Sequence, residues 1–466
     1  MKQYVFKCFK TKKASYVYDR STGSLCIVSD EEGKELLEIE KGILDPEKSL
    51  ALAQYQQKGM FLSNTIETLK HPESDYLEYH LAHRMKQLIL QVTQQCNLRC
   101  GYCVYSGIYK DHREHQNKNM DWDTARKAID FFIQRSGDTE NMLISFYGGE
   151  PLLRIDLIKQ CVDYAKGKVN GHKLRFNMTT NGTLLTDEVS DYLVKENFMV
   201  SISLDGPKMA HDVNRKFRSG EGSFDVIMEN VRRLRQRHPA FASQLTFMTV
   251  INPRAELENV VEYFDTDTLM QDNMVVFNEM AETGLKDHID YSLNYKLIRR
   301  YEYLKMLAAI LGKIDRQAVS KLMANGEAYI KAFAQKMNVY YKLPKTVQRG
   351  GPCLAGSRRL FVTVDGKFYP CEKVNEESDF SCIGSLENGF DIEKVRQFIN
   401  IGSITEEKCK DCWNLILCMM CFGDIETEDK DILQEKDTAF KCLQQQNSSY
   451  QQLYEYAVLS ELGYKF

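Results

Sequence analysis

Between residues 86 and 280, apolar runs of strand length alternate with segments whose apolar positions recur at helical spacing. The apolar runs are MKQLILQVT (85–93), NMLISFYG (141–148), KLRFNMTTN (173–181), FMVSISLDG (198–206), QLTFMTVIN (244–252) and MVVFNEM (274–280). Helical patterning fills the gaps in DWDTARKAIDFFIQRSG, RIDLIKQCVDYAKG, TDEVSDYLVKEN and GSFDVIMENVRRLRQRH. A repeated strand-then-helix order predicts an α/β unit with parallel strands, and six repeats predict a partial (β/α)6 TIM-like barrel over residues 86–285.

The flanks read differently. Residues 1–85 open with short strand patterns, QYVFKCF, SYVYDR and GSLCIVS, with a turn at Ser21 to Gly23. Two leucine-bearing helical segments ending at glycines follow, DEEGKELLEIEKG and DPEKSLALAQYQQKG. A three-stranded sheet with three helices, an α+β module, is expected there. Residues 286–350 form a helical, tyrosine-rich bridge, and residues 351–466 a cysteine-rich end.

Composition narrows the class. With 466 residues, 43% hydrophobic and 27% charged, the chain has the make-up of an ordinary soluble globular protein of two to four domains. A formal charge of -4 and a pI near 6.2 give no reason to expect nucleic acid or a membrane as partner. The basic string RRLRQRH (232–238) lies in a helical pattern and reads as a solvated face. No signal-peptide core or membrane-length run occurs, so a cytoplasmic protein is expected. Fourteen cysteines in a reducing compartment point to metal or redox chemistry rather than disulfides. Cys8, Cys26 and Cys161 stand apart from the clusters and read as small buried hydrophobes.

The first cluster follows the first predicted strand: Cys96, Cys100 and Cys103, spaced Cys-x3-Cys-x2-Cys. A 4Fe-4S cluster takes four thiolates, so three leave one iron open to an external ligand. A zinc site completed by His112 or His115 is the alternative. Gly148-Gly149-Glu150, Thr180-Asn181-Gly182 and Ser203-Leu204-Asp205-Gly206 recur at the ends of the next three strands. In barrel enzymes that rim carries the chemistry, so a common site is expected.

A second array contains Cys353, Cys371, Cys409, Cys412, Cys418, Cys421 and Cys442, with Cys382 nearby. A hairpin in FVTVDGKFYPC would bring Cys353 and Cys371 together. Structural zincs held by four cysteines each are one reading of the pairs Cys409-x2-Cys412 and Cys418-x2-Cys421.

The opening motif, with Tyr102 before its last cysteine, resembles that of radical S-adenosylmethionine enzymes, and the strand-end features extend the likeness over roughly residues 86 to 280. The resemblance implies that S-adenosylmethionine chelates the open iron and is cleaved to a 5'-deoxyadenosyl radical, which takes a hydrogen from the substrate. It gives Gly148, Gly149 and Glu150 to the methionyl amino group, with Glu150 as acceptor. Asn181, Ser203 and Arg215 fall to the ribose or carboxylate. The string HDVNRKFRSGEGSFD (211–225) resembles the subgroup that modifies peptides and proteins.

The C-terminal array resembles the SPASM extension, which implies two auxiliary 4Fe-4S clusters and hence three in all. Cys409, Cys412, Cys418 and Cys442 would hold one, and Cys353, Cys371 and Cys421 the other. The second is then a ligand short, and either Cys382 or a substrate thiolate would complete it. Only two residues separate Cys418 from Cys421, where the family pattern has three. Glu372 stands where related sulfatase-maturing enzymes carry a catalytic aspartate.

Residues 1–85 resemble a winged-helix-like precursor-recognition domain, in which a leader peptide adds a strand to a sheet edge. Together the likenesses imply a maturase that installs thioether links in a ribosomally made precursor peptide, supplied with electrons by a flavodoxin or ferredoxin. Carbon-carbon linkage, epimerisation and formylglycine formation are the alternatives within the same chemistry. A non-catalytic zinc-binding protein is the alternative outside it.

Overall fold

The computed structural model describes all residues except 1–3, 111, 253–255, 281, 283, 288, 338–341, 352 and 426–432. Gln3, which opens the first predicted strand, and residues 338–341 of the predicted bridge lie outside the described residues.

Six parallel strands form the centre: Gln87–Thr93, Asn141–Gly148, Lys173–Thr180, Met199–Ser203, Thr246–Ile251 and Met274–Glu279. They lie side by side in chain order, and the first and last do not pair, so the barrel is open. The fourth strand stops at Ser203, three residues before the predicted end, because the chain turns at Gly206 with φ 114°.

Helices return each strand to the next, as the patterning predicts. In Trp122–Gln134 the periodic Ala125, Ala128, Ile129 and Phe132 are buried, and Asp121 caps the first turn by accepting from Thr124 N. The first strand is buried from Leu88 to Thr93, as a strand covered on both faces must be.

Two expected boundaries move. Helix Leu293–Ile310, assigned to the bridge, packs against Leu257–Thr266 as the sixth barrel helix, and Tyr295 joins the barrel core. The C-terminal region is not a separate layer either. Its strand Leu360–Val362 pairs in parallel with Gln87–Thr93 and turns into Lys367–Tyr369, the predicted hairpin, so one sheet runs from the barrel into the cysteine-rich end.

The first domain is a small antiparallel sheet of Phe6–Lys10, Ser15–Asp19 and Ser24–Val28, covered by helices Asp30–Glu40 and Leu50–Gln57. The third helix, Leu77–His83, belongs elsewhere: Leu77 and Leu81 are buried in the barrel core. Nor is the domain free-standing. Arg20 donates to the carbonyls of Lys410 and Cys412, and Phe9, Tyr16 and Tyr18 pack with Leu453 and Ala457 of the C-terminal helix Ala439–Glu461. Among the described residues, no helix is long and apolar enough to cross a membrane.

Candidate functional site

The first strand ends at Thr93, and the cysteine loop begins beside the end of the second. Gly149 N donates to Thr93 O at 2.9 Å and Glu150 N to Gln95 O at 2.8 Å. This seam explains both glycines. A Cβ on Gly148 would stand 2.1 Å from Thr93 O, and one on Gly149 1.9 Å from Gln95 O, so only glycine permits the approach. The glycines thus serve a close approach to the neighbouring loop's own backbone, besides bordering the cavity described below.

The far side of the loop is strapped by the 214–218 segment. Arg99 N donates to Lys216 O at 2.7 Å, and Gly101 N to Asn214 O at 3.1 Å. Cys96, Cys100 and Cys103 are half-buried along this loop, and their charges would act on one another. Burial pushes the Cys96 thiol up to about 12 and the Cys100 thiol up to about 11. Such thiols become thiolates when a metal replaces the proton.

These thiols line a cavity of about 330 Å³ that is also walled by Tyr102, Gly148, Gly149, Glu150, Asn181, Ser203 and Arg215. Every residue predicted for the cofactor on sequence grounds therefore borders one space. His115 borders it too, while burial lowers its imidazole to about 4, which favours the neutral ring.

Glu150 does more than the expected single contact. Its Oε1 accepts from Leu152 N at 3.0 Å and Thr180 Oγ1 at 2.7 Å, and its Oε2 from Asn181 N at 2.8 Å. One lone pair on Oε2 is left for a ligand, and the carboxylate chiefly fixes the third strand end. Asn181 is likewise engaged: its Nδ2 donates to Asn97 Oδ1 at 2.9 Å, and its Oδ1 accepts from Thr183.

Asp205, quoted within a strand-end string but given no role, is a hub. Its Oδ2 accepts from Arg215 Nε at 2.9 Å and from the Tyr102 hydroxyl, and its Oδ1 from Val250 N at 3.0 Å. The Arg215 guanidinium lies over the Tyr102 ring, 5.3 Å from its centre, with Nη1 4.0 Å from Cys100 Sγ. Burial works against the Arg215 charge, but Asp205 and Tyr102 hold its pKa above the ordinary value. His211 supports the turn: its Nδ1 accepts from Asp205 N, and Ser223 lies 3.0 Å from its Nε2.

The C-terminal thiols fall into two neighbourhoods. Cys409, Cys412, Cys418 and Cys442 act on one another electrostatically. Cys371 is instead influenced by Cys421 and Cys353, after burial and Glu372, and its thiol is pushed up to about 12. The Cys382 thiol lies 3.5 Å from Gly384 O, and its charge would act on Tyr369.

Among the described residues no three cysteine, histidine or carboxylate side chains stand in metal-coordinating geometry. The surroundings fit an anionic thiolate-bound group. Arg349 is 3% exposed, its charge would act on Cys409 and Cys418, and its Nε and Nη2 have no hydrogen-bond partner.

Glu372 acts electrostatically on Tyr147, which lines the 330 Å³ cavity, and its charge helps to raise that phenol after burial. Its Oε1 accepts from Arg359 at 3.4 Å, and its buried Oε2 has no partner.

Residues 90–264 match the Radical SAM superfamily, and residues 353–415 match SPASM, an iron-sulfur cluster-binding domain. Cys418, Cys421 and Cys442 lie beyond the second span. The chain is 27% identical to a cysteine-type anaerobic sulfatase-maturating enzyme of Clostridium novyi, covering 72% of this chain and 86% of that one. It is 22% identical to the radical SAM cyclopropyl synthase TigE of Paramaledivibacter caminithermalis, covering 93% and 91%. The fold is similar to that of native anSMEcpe with bound AdoMet, with a TM-score of 0.57 at 20% identity over 81% of this chain and 98% of the other. The cysteine loop at the mouth of an open barrel, the strand ends converging on it and the two matched spans make this chain a radical S-adenosylmethionine enzyme with a SPASM domain.

Proposed function

We propose that the enzyme matures a ribosomally made precursor peptide by joining a cysteine sulfur to a carbon of another residue. What supports this reading is the electrostatic grouping of the C-terminal thiols: Cys409, Cys412, Cys418 and Cys442 act on one another, Cys353 and Cys421 act on Cys371, and the Cys382 thiol lies 3.5 Å from Gly384 O. Cys409, Cys412, Cys418 and Cys442 would hold one auxiliary 4Fe-4S cluster completely. Cys353, Cys371 and Cys421 would leave the other one thiolate short, and a peptide cysteine is the soft donor that fits.

Peptide as substrate class has separate support. A larger cavity of about 990 Å³ runs beside the cysteine loop at Gly101 and shares Met280 with the smaller one. Its apolar walls include Met209, Val213 and Leu285, and Asn214 and Asn259 add polar groups to the lining. A structure of native anSMEcpe with bound AdoMet and Cp18Cys peptide has a TM-score of 0.56 to this chain. In the first domain, strand Ser24–Val28 pairs on one side only among the described residues, and Ile27 is 67% exposed, as an edge that accepts a leader strand would be.

When bound, the clusters and S-adenosylmethionine supply the 5'-deoxyadenosyl radical and an acceptor for the second electron, the first coming from a flavodoxin or ferredoxin. The chain's own groups bind and aim. Cys96, Cys100 and Cys103 would hold the first cluster, the Gly148–Glu150 seam and Arg215 border the cofactor cavity, and Glu372 would take the thiol proton. Each link removes one hydrogen from carbon and one from sulfur.

The test is to incubate reduced enzyme and S-adenosylmethionine with a cysteine-containing peptide encoded beside its gene. The product should be lighter by two hydrogens per link, with the cysteine no longer open to alkylation. A product that has lost hydrogen but keeps every thiol alkylatable supports the second reading, carbon-carbon ring closure, which the nearly full-length likeness to a cyclopropyl synthase favours.

A further inference from the structure

The grouping of Tyr102, Asp205 and Arg215 has a counterpart that crosses the molecule. The Tyr105 hydroxyl donates to Glu376 Oε1 at 2.9 Å, and Arg113 Nε donates to Oε2 at 2.9 Å. The Arg113 guanidinium lies 3.5 Å from the centre of the Tyr105 ring. Gln91 Nε2, from the first barrel strand, is 2.9 and 2.8 Å from the two carboxylate oxygens. The Arg113 and Glu376 side chains are 2% and 7% exposed.

All three donors to the carboxylate come from the barrel strand or the chain just beyond the cysteine loop. The carboxylate itself belongs to the turn that starts at Cys371 and Glu372 and is fixed at its other end by Tyr369, whose hydroxyl donates to Glu376 O at 2.6 Å. An apolar contact would hold these parts together at least as firmly, since burying an ion pair costs desolvation that its attraction roughly offsets. A fork of directional bonds and a ring stacked under a guanidinium instead fix orientation. What they orient is the Cys371–Glu372 turn relative to Tyr105 and Tyr147, both of which line the cofactor cavity.

We propose that Arg113, Tyr105 and Glu376 form an interdomain clamp that positions the Cys371–Glu372 turn against the radical-forming cavity, coupling S-adenosylmethionine cleavage to modification of the peptide. The coupling part rests on the peptide reading above; the clamp does not. These are positioning residues, acting through the turn and not on the reacting atoms.

The experiment compares Glu376→Gln and Tyr105→Phe with the unmutated enzyme. One sample, reduced with dithionite and given S-adenosylmethionine and the neighbouring-gene peptide, yields both 5'-deoxyadenosine and modified peptide. A second, without peptide, yields amide hydrogen exchange. In Glu376→Gln, 5'-deoxyadenosine formation should persist, while modified peptide per 5'-deoxyadenosine falls about 100-fold, the scale of a small misplacement of reacting groups. Amides of 103–115 and 371–377 should exchange faster together.

Tyr105→Phe keeps the ion pair and decides the matter if Glu376→Gln does not fold; its ratio and exchange should move the same way by less. Loss of 5'-deoxyadenosine and product in equal proportion, or faster exchange on one side only, overturns the clamp. If the unmutated enzyme leaves the peptide unchanged, the peptide reading fails and the exchange data still decide the clamp.

Discussion

Two groups of similar make-up, each a tyrosine and an arginine on one carboxylate, lie at the cysteine loop, and they differ chiefly in what they join. Tyr102, Asp205 and Arg215 close within the barrel, with Arg215 and Asp205 side chains 8% and 4% exposed. Tyr105, Glu376 and Arg113 reach from the barrel to the C-terminal domain, between residues 263 apart in sequence. Each sets a loop tyrosine and an arginine on one carboxylate and stacks the arginine on the ring. The barrel clamp shapes the space where the radical forms; the interdomain clamp sets the wall that its product must meet. The molecule thus uses one device twice, for making the radical and for directing it.

The largest effect should come from breaking the seam on which both clamps depend. In Gly149→Ala the new Cβ meets Gln95 O, a backbone atom that no rotamer change can move. The cysteine loop should separate from the second strand end, and the reconstituted protein should fail to bind S-adenosylmethionine in a titration. Retained binding would show that the loop can shift whole and that the seam is not shared.

Next come the carboxylates, where the comparison is sharpest. Asp205→Ala strands a buried Arg215 as Glu376→Ala strands Arg113, and losing one partner of a buried pair costs about 3–5 kcal/mol. Thermal unfolding should therefore show similar losses. Activity should not: Asp205→Ala removes 5'-deoxyadenosine formation, because the arginine it strands, Arg215, borders the cofactor cavity, whereas Glu376→Ala strands Arg113, which is not among the lining residues, and spares it. Equal loss of 5'-deoxyadenosine in both variants would erase the distinction between the two clamps.

What the sequence made legible follows the same division. The six strands and the cysteine motif could be read because each rests on local periodicity or spacing, and all ten residues assigned to the first cluster and its cofactor border one cavity. Asp205 carried a weak signal, an acidic residue at a strand end before a glycine with positive φ. Arg113 and Glu376 carried none, because nothing local distinguishes a residue whose partner is hundreds of positions away. The open barrel edge had the same cause: pairing of Leu360–Val362 with Gln87–Thr93 is a long-range choice that periodicity does not encode. The bonds that Glu150 accepts from Thr180 and Asn181 were not legible for the same reason, since both partners come from the next strand and its end.

A smaller effect should separate the thiol groups. Cys442→Ala, removing one of four mutually close thiols, should lower iron by about four atoms per chain, one cluster's worth. Cys382→Ala should leave iron unchanged, since that thiol lies beside Gly384 O and the thiols that act on Cys371 are Cys421 and Cys353. Iron and sulfide analysis after anaerobic reconstitution reads both. Loss of iron in Cys382→Ala would fill the position that a peptide thiolate is proposed to occupy and weaken the thioether reading.

The smallest effects belong to the hydroxyls, and they ask whether the clamps are two devices or one. Tyr102→Phe and Tyr105→Phe each remove one hydrogen bond to a carboxylate that keeps its arginine, so each should cost about 1–2 kcal/mol in thermal or denaturant unfolding. The tyrosines share a short loop, but their carboxylates come from different domains and their arginines from different segments. Independent clamps predict that the double variant equals the sum of the singles to within about 0.5 kcal/mol. A larger coupling would mean that the loop between Tyr102 and Tyr105 transmits strain, so that closing the barrel around S-adenosylmethionine would also set the turn at Cys371.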